Sequence, residues 1–188
     1  MKIPSIRRHS GFTLVELLVV IAIIVVLAAA GFGAGAIAMN RAREATTRAS
    51  VVALEGAVNS FYSEYGALPD VGDKVKTDKG DGTKLLEILL GLEGDSGKVQ
   101  NPRNNKFLNV KETKTKAKGL LYSRSGKSIE GLYDDWGNPL VVELDVNYEE
   151  RLRFNHGSKQ VILNGRRVAV YSAGVDQKYG TMDDIKTW

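Results

Sequence analysis

The chain contains no cysteine. That excludes a disulfide framework, thiol catalysis and cysteine-ligated zinc. Histidine is nearly as scarce, with His9 close to the start and His156 standing alone. No motif surrounds His156, so neither a Ser-His-Asp arrangement nor a histidine metal cluster is indicated. The lack that organises everything else is charge. From Leu17 to Asn40 there is not one ionisable side chain.

That uncharged run exceeds the roughly 20 residues needed to cross the hydrocarbon core of a bilayer. Glu16 sits at its apolar start, behind Phe12, Leu14 and Val15. A carboxylate at such a place is costly in lipid and is read as functional, with a partner to be named. The formal net charge of +4 is unevenly spread. Lys2, Arg7, Arg8, Arg41, Arg43 and Arg48 flank the apolar run, while residues 67–188 are nearly balanced. The basic character therefore points to membrane flanks rather than to nucleic acid. A length of 188 residues, less the leader and the span, leaves room for one domain.

Met1 to Ser10 is short, polar and basic. The apolar stretch behind it is too long for a cleaved secretory signal, so the segment is expected to persist as a span. A cytoplasmic N-terminus is favoured. Beyond Asn40, Val51, Leu54, Val58, Phe61 and Tyr65 recur at steps of three and four, the stripe of an amphipathic helix. Gly66 and Pro69 end it. One helix over residues 12–66 would be roughly 80 Å long. Gly31 and Gly35 form a small-xxx-small pair inside the run, with Gly33 between them.

Past Pro69 the pattern shortens. Asp70 to Gly82 reads as a solvated loop, because its aspartates lack the order of an EF-hand. Thr83 to Gly91 reads as a short helix with Thr83 as N-cap and Gly91 as stop. Glu93 to Gly119 reads as polar and turn-rich. Its run of Lys111, Lys114, Lys116 and Lys118 has no interleaved aromatics of the kind a nucleic-acid groove uses. Strands are expected over 139–144, 151–154, 161–163 and 168–171, with Asn164-Gly165 as a hairpin turn between the last two. Three or four antiparallel strands laid on the Val51–Tyr65 stripe give an α+β fold.

Gly11-Phe12-Thr13-Leu14-Val15-Glu16 resembles the processing motif of the type IV pilin and pseudopilin superfamily. The resemblance implies cleavage between Gly11 and Phe12 by a prepilin peptidase, N-methyl-Phe12 as the mature start, and Glu16 as the assembly residue. Two distal motifs place the chain closest to the major pseudopilin of type II secretion systems. Asp134-Asp135-Trp136-Gly137-Asn138-Pro139 resembles that family's Asp-Pro-Trp-Gly-Asn-Pro, with Asp135 in place of proline. Tyr171 to Asp176 with Gly180, Asp183, Asp184, Ile185 and Trp188 resembles its calcium-binding terminal loop. The implied ligands are Ser172, Asp176, Asp183 and Asp184, hard oxygens of the kind Ca2+ takes. Gln177 stands where the family commonly has glycine, and Gly180 is single where a pair is common.

On this reading residues 1–11 are a leader, 12–39 a transmembrane and filament-core helix, and 40–66 its amphipathic continuation. Residues 67–188 form a pilin-like periplasmic head. The expected protein is a structural subunit, not an enzyme, anchored by one pass in the bacterial inner membrane. It polymerises into a periplasmic pseudopilus that supports protein export. Implied partners are further copies of itself, the prepilin peptidase, minor pseudopilins, the inner-membrane assembly platform and lipid, with no nucleic acid. Two alternatives stand beside it: a type IV pilin or minor pilin of a surface filament, and a membrane-anchored enzyme or ligand-binding domain. The head offers the second no nucleophile–base pair.

Overall fold

The computed structural model describes residues 11–94, 98–126 and 128–188, without the side chains of residues 30–34. Residues 1–10 of the expected 1–11 leader, and the packing of Gly31 and Gly33, lie outside that description. Helix α1 spans Leu14–Tyr65. The chain divides into two units, Met1–Arg41 and Ala42–Trp188.

In the first unit α1 is apolar on every face. Leu14, Leu17, Ile21 and Ile24 are all more than half exposed, as are Val15, Leu18 and Val25. A helix hydrophobic all round needs a surrounding apolar medium or other helices. Among the described residues no helix is long and apolar enough to cross a membrane.

In the second unit α1 is amphipathic, as the spacing predicts. Val51, Leu54, Val58 and Phe61 are at most 2% exposed, and Tyr65 packs beside them half-buried. Each such side chain contributes about 2 kcal/mol of transfer free energy. The helix ends where Gly66 turns left-handed at φ 70° and its N–H bonds back to Tyr62 O.

The stripe packs on a four-stranded antiparallel sheet ordered β1-β5-β8-β9. Its strands are β1 (Lys74–Lys76), β5 (Val141–Leu144), β8 (Val168–Ser172) and β9 (Ile185–Lys186). A second sheet joins β2 (Glu112–Thr113), β3 (Gly119–Tyr122) and β4 (Ile129–Tyr133), with β2 parallel to β3. A third is the hairpin of β6 (Arg151–His156) and β7 (Lys159–Asn164). The expected single sheet is thus three, and the fold is α+β with an N-terminal helix.

β8 is buried along its whole length because both faces are covered. Val168 and Val170 face the core containing α1 and helix α2 (Asp81–Leu90). Ala169 and Tyr171 face a second core under the hairpin, with Val141, Leu152 and Phe154. Two-sided burial explains why β8 reads as an unbroken apolar run. Glu143 of β5 is buried at register with Lys74, which it meets at 2.8 Å, and it accepts from the Tyr171 hydroxyl at 3.0 Å. Burial raises the Glu143 carboxyl above the usual range, and burial beside Glu143 pushes Tyr171 upward as well.

Four expectations are corrected. Asn164-Gly165 does not close a β7–β8 hairpin, since those strands lie in different sheets. Asn164 is still paired with Arg151, and Gly165 at φ 69° turns the chain out of the sheet. The tight turn is instead Gly157-Ser158 between β6 and β7, with Gly157 at φ 61° as a type II′ loop prefers. The 70–82 loop contains β1, whose burial of Val75 alone leaves no periodic signal. The 93–119 stretch is built rather than merely solvated. Leu108 and Asn101 are fully buried there, and Asn101 bonds Ile88 O, Asn105 and the Tyr65 hydroxyl. Finally, α2 begins at Asp81 behind Gly80, and Thr83 turns its hydroxyl onto Gly80 O instead of capping.

Candidate functional site

In the first unit the Gly11-Phe12 bond precedes the helix, and both residues are exposed. Nothing lies within 4 Å of where a Gly11 side chain would begin. The bond is therefore open backbone ahead of α1. Thr13 and Glu16 form a capping box. The Glu16 N–H donates to Thr13 Oγ1 at 3.2 Å, while Glu16 Oε2 accepts the Thr13 N–H and hydroxyl, each at 2.8 Å. Within one chain, then, the Glu16 carboxylate is held by Thr13. Thr13 was legible as the start of a Thr-x-x-Glu ahead of an apolar run. Its importance is obscured because Glu16 already has a stronger reading.

In the second unit the Asp134–Pro139 motif forms a tight loop between β4 and β5. Asp134 is 1% exposed and accepts four bonds. Oδ1 takes the N–H groups of Trp136 and Asn138, each at 2.8 Å. Oδ2 takes Asn138 Nδ2 at 2.8 Å and Ser172 Oγ at 2.5 Å. Asn138 Nδ2 also donates to Gly174 O at 2.8 Å. The two distal motifs are thereby tied to each other. Asp135 shows what replacing proline permits, for its N–H donates to Thr47 Oγ1 of α1 at 3.1 Å. Proline has no such donor. Burial raises the Asp135 carboxyl, against the opposing pull of Lys118.

The terminal loop closes around Asp184, whose side chain is fully buried. Its Oδ2 accepts the N–H groups of Gly180 and Thr181 at 2.6 and 3.0 Å. The same oxygen lies 2.6 Å from His156 Nε2, an ion-pair distance without hydrogen-bond alignment. His156 is wrapped edge-on by Tyr171 and Trp188 at 4.6 and 5.4 Å. The lone histidine is thus a buried neighbour of the loop, which no motif in the sequence marks. Gly180, at φ 91°, presses on the Gly157 backbone, where a side chain would begin 2.6 Å from Gly157 Cα. Gln177 takes the left-handed conformation that glycine adopts most readily, at φ 61°. That costs about 1 kcal/mol for a side-chain-bearing residue.

The four implied calcium ligands do not converge as one set. Ser172 faces Asp134, and Asp184 faces His156. Asp176 and Asp183 share the outer loop: Asp183 Oδ2 accepts the Asp176 N–H at 2.9 Å, and Asp176 Oδ1 accepts the Lys178 N–H at 2.8 Å. The Thr181 hydroxyl, at 2.6 Å from Oδ1, holds Asp183 below the usual carboxylate range. Among the described residues no group of three or more His, Asp or Glu side chains is placed to hold a metal ion.

Residues 6–32 match the family model described as the prokaryotic N-terminal methylation motif. The chain thus carries at its N-terminus the motif of type IV pilin-like, prepilin-processed proteins. No curated protein and no solved structure matches it.

Proposed function

We propose that this chain is the major-pseudopilin-like subunit of a type II secretion pseudopilus. The match over residues 6–32 supports its pilin-like, prepilin-processed part. It covers Gly11, Phe12, Glu16 and the apolar run as far as Phe32. In this account a prepilin peptidase cuts after Gly11 and methylates Phe12. The apolar part of α1 rests in the inner membrane, head outward, and then enters a filament core of identical helices, where Glu16 pairs with a neighbour's N-terminal amine. The protein is structural rather than catalytic. A pseudopilus is favoured over a surface pilus because the two motifs resembling the major pseudopilin bond directly through Asp134, Asn138, Ser172 and Gly174.

Mass spectrometry of the membrane-extracted protein tests the processing. The expected mature chain begins at Phe12 and carries one added methyl. Any other start removes the reading.

Calcium belongs to the same proposal at Asp176 and Asp183 only, joined by main-chain carbonyls. Raising free calcium from chelator to millimolar, the range of extracellular modules, is expected to raise the melting temperature by a few degrees. Asp176→Ala is expected to abolish the rise. A melt indifferent to calcium in the parent protein rejects the ion.

A further inference from the structure

We propose that the outer edge of β7 is a self-pairing surface, on which β7 of a second copy of this chain adds antiparallel about a dyad through Ile162. The proposal does not rest on the N-terminal reading.

The hairpin register sets which backbone groups are free. His156 pairs with Lys159 across the two-residue loop, and the Gly165 N–H bonds to Glu150 O at 2.7 Å at the other end. In an antiparallel pair, bonded and non-bonded positions alternate. The bonded pairs are therefore Glu150 with Gly165, Leu152 with Leu163, Phe154 with Val161, and His156 with Lys159. Gln160, Ile162 and Asn164 aim their N–H and C=O groups away from β6. Among the described residues nothing accepts or donates to those groups, and β6–β7 is a two-stranded sheet.

Natural edge strands are protected by proline, bulges, brevity or inward charge. β7 is six residues long, has no proline, and pairs with β6 without a register shift. Its only charge is Lys159 at one end. Val161 and Leu163 pack toward the second core and hold the strand in place, while Ile162 remains 45% exposed on the outer face.

The occupant follows from the order of the outward residues, Gln160-Ile162-Asn164, which is palindromic in chemistry. An antiparallel copy centred on Ile162 sets isoleucine against isoleucine and each amide against an amide. Those cross-strand pairs are favourable. Lys159 then faces Gly165 of the other copy rather than a second lysine. Arg151 and Arg153 lie one strand further back, so like charges sit roughly 14 Å apart, beyond the screening length at physiological salt. Such a contact is isologous and closes on itself, unlike the open repeat of a helical filament.

The absence of cysteine makes the test direct, because any introduced thiol is the sole one. Opposed residues of a bonded antiparallel pair have Cα atoms about 5.5 Å apart, within disulfide reach. With the full chain in detergent under mild oxidation, Ile162→Cys is expected to give a covalent dimer. Mixing Gln160→Cys with Asn164→Cys is expected to give several-fold more heterodimer than either variant alone gives homodimer. Met182→Cys, on a fully exposed loop residue, is the collision control. If Ile162→Cys links no faster than Met182→Cys, the proposal is overturned. The same holds if the 160/164 mixture shows no excess, or if Ile162→Cys links to a different protein instead.

Discussion

Asp134→Ala is expected to destabilise the 42–188 unit by about 4 kcal/mol, the scale for removing a buried charge that satisfies several donors. At about 3 °C per kcal/mol for a domain near this size, its melting temperature falls by about 12 °C. The argument is one of orphaned donors. Without the carboxylate, the N–H groups of Trp136 and Asn138 and the Ser172 hydroxyl lose their acceptor, and the Asn138 amide keeps only Gly174 O, inside a site that is 1% exposed. Water cannot replace it without opening the loop. Loss of one donor is a smaller matter: Ser172→Ala should cost about 1 kcal/mol. Asp134→Asn should fall between them, because an amide NH2 would then oppose at least one donor. Urea unfolding of the three variants, read by midpoint at constant slope, checks the ranking. A shift for Asp134→Ala no larger than that for Ser172→Ala would show that the four bonds do not act as a unit.

Glu16→Ala is expected to leave the protein in the membrane fraction but nearly abolish filament assembly. The capping box complicates that result, and three variants separate the roles. Thr13→Ala removes the cap alone, a loss of about 1 kcal/mol of helix stability. Glu16→Gln keeps a residue that serves in a capping box but removes the charge. Glu16→Ala removes both. If Glu16 acts by pairing with a neighbour's amine in a low-dielectric core, Glu16→Gln assembles as poorly as Glu16→Ala, and Thr13→Ala assembles better than either. Filament yield at equal membrane levels is the readout. Normal assembly of Glu16→Gln would remove ion pairing from the account and leave Glu16 a helix cap.

How much was legible depended on how local the signal was. The stripe from Val51 to Phe61 was readable because a helix face is written at steps of three and four, and it was found buried as spaced. The Gly91 stop was equally local, with the residue in the left-handed conformation that ends a helix. β3 and β4 were missed because short strands with a glycine and mixed polarity resemble loops. β1 was missed because a three-residue strand buries only Val75. At the terminal loop the spacing of Ser172, Asp176, Asp183 and Asp184 was visible. Which way each side chain turns was not, since Asp134 and His156 come from distant parts of the chain.

The sequence by itself determined the match to the N-terminal methylation motif and the character of the helix. The processing motif, the Thr13–Glu16 box, the uncharged run and the amphipathic stripe act through neighbours within a few residues, so their meaning does not wait for folding. Only the tertiary structure decided strand partnership, the double burial of β8, the union of the two distal motifs at Asp134, and the bare edge of β7. Those outcomes depend on which segments win each other across the whole chain. A local signal as strong as Asn164-Gly165 gave way because Val161 and Leu163 were better buried against the second core with β6 as partner than turned toward β8.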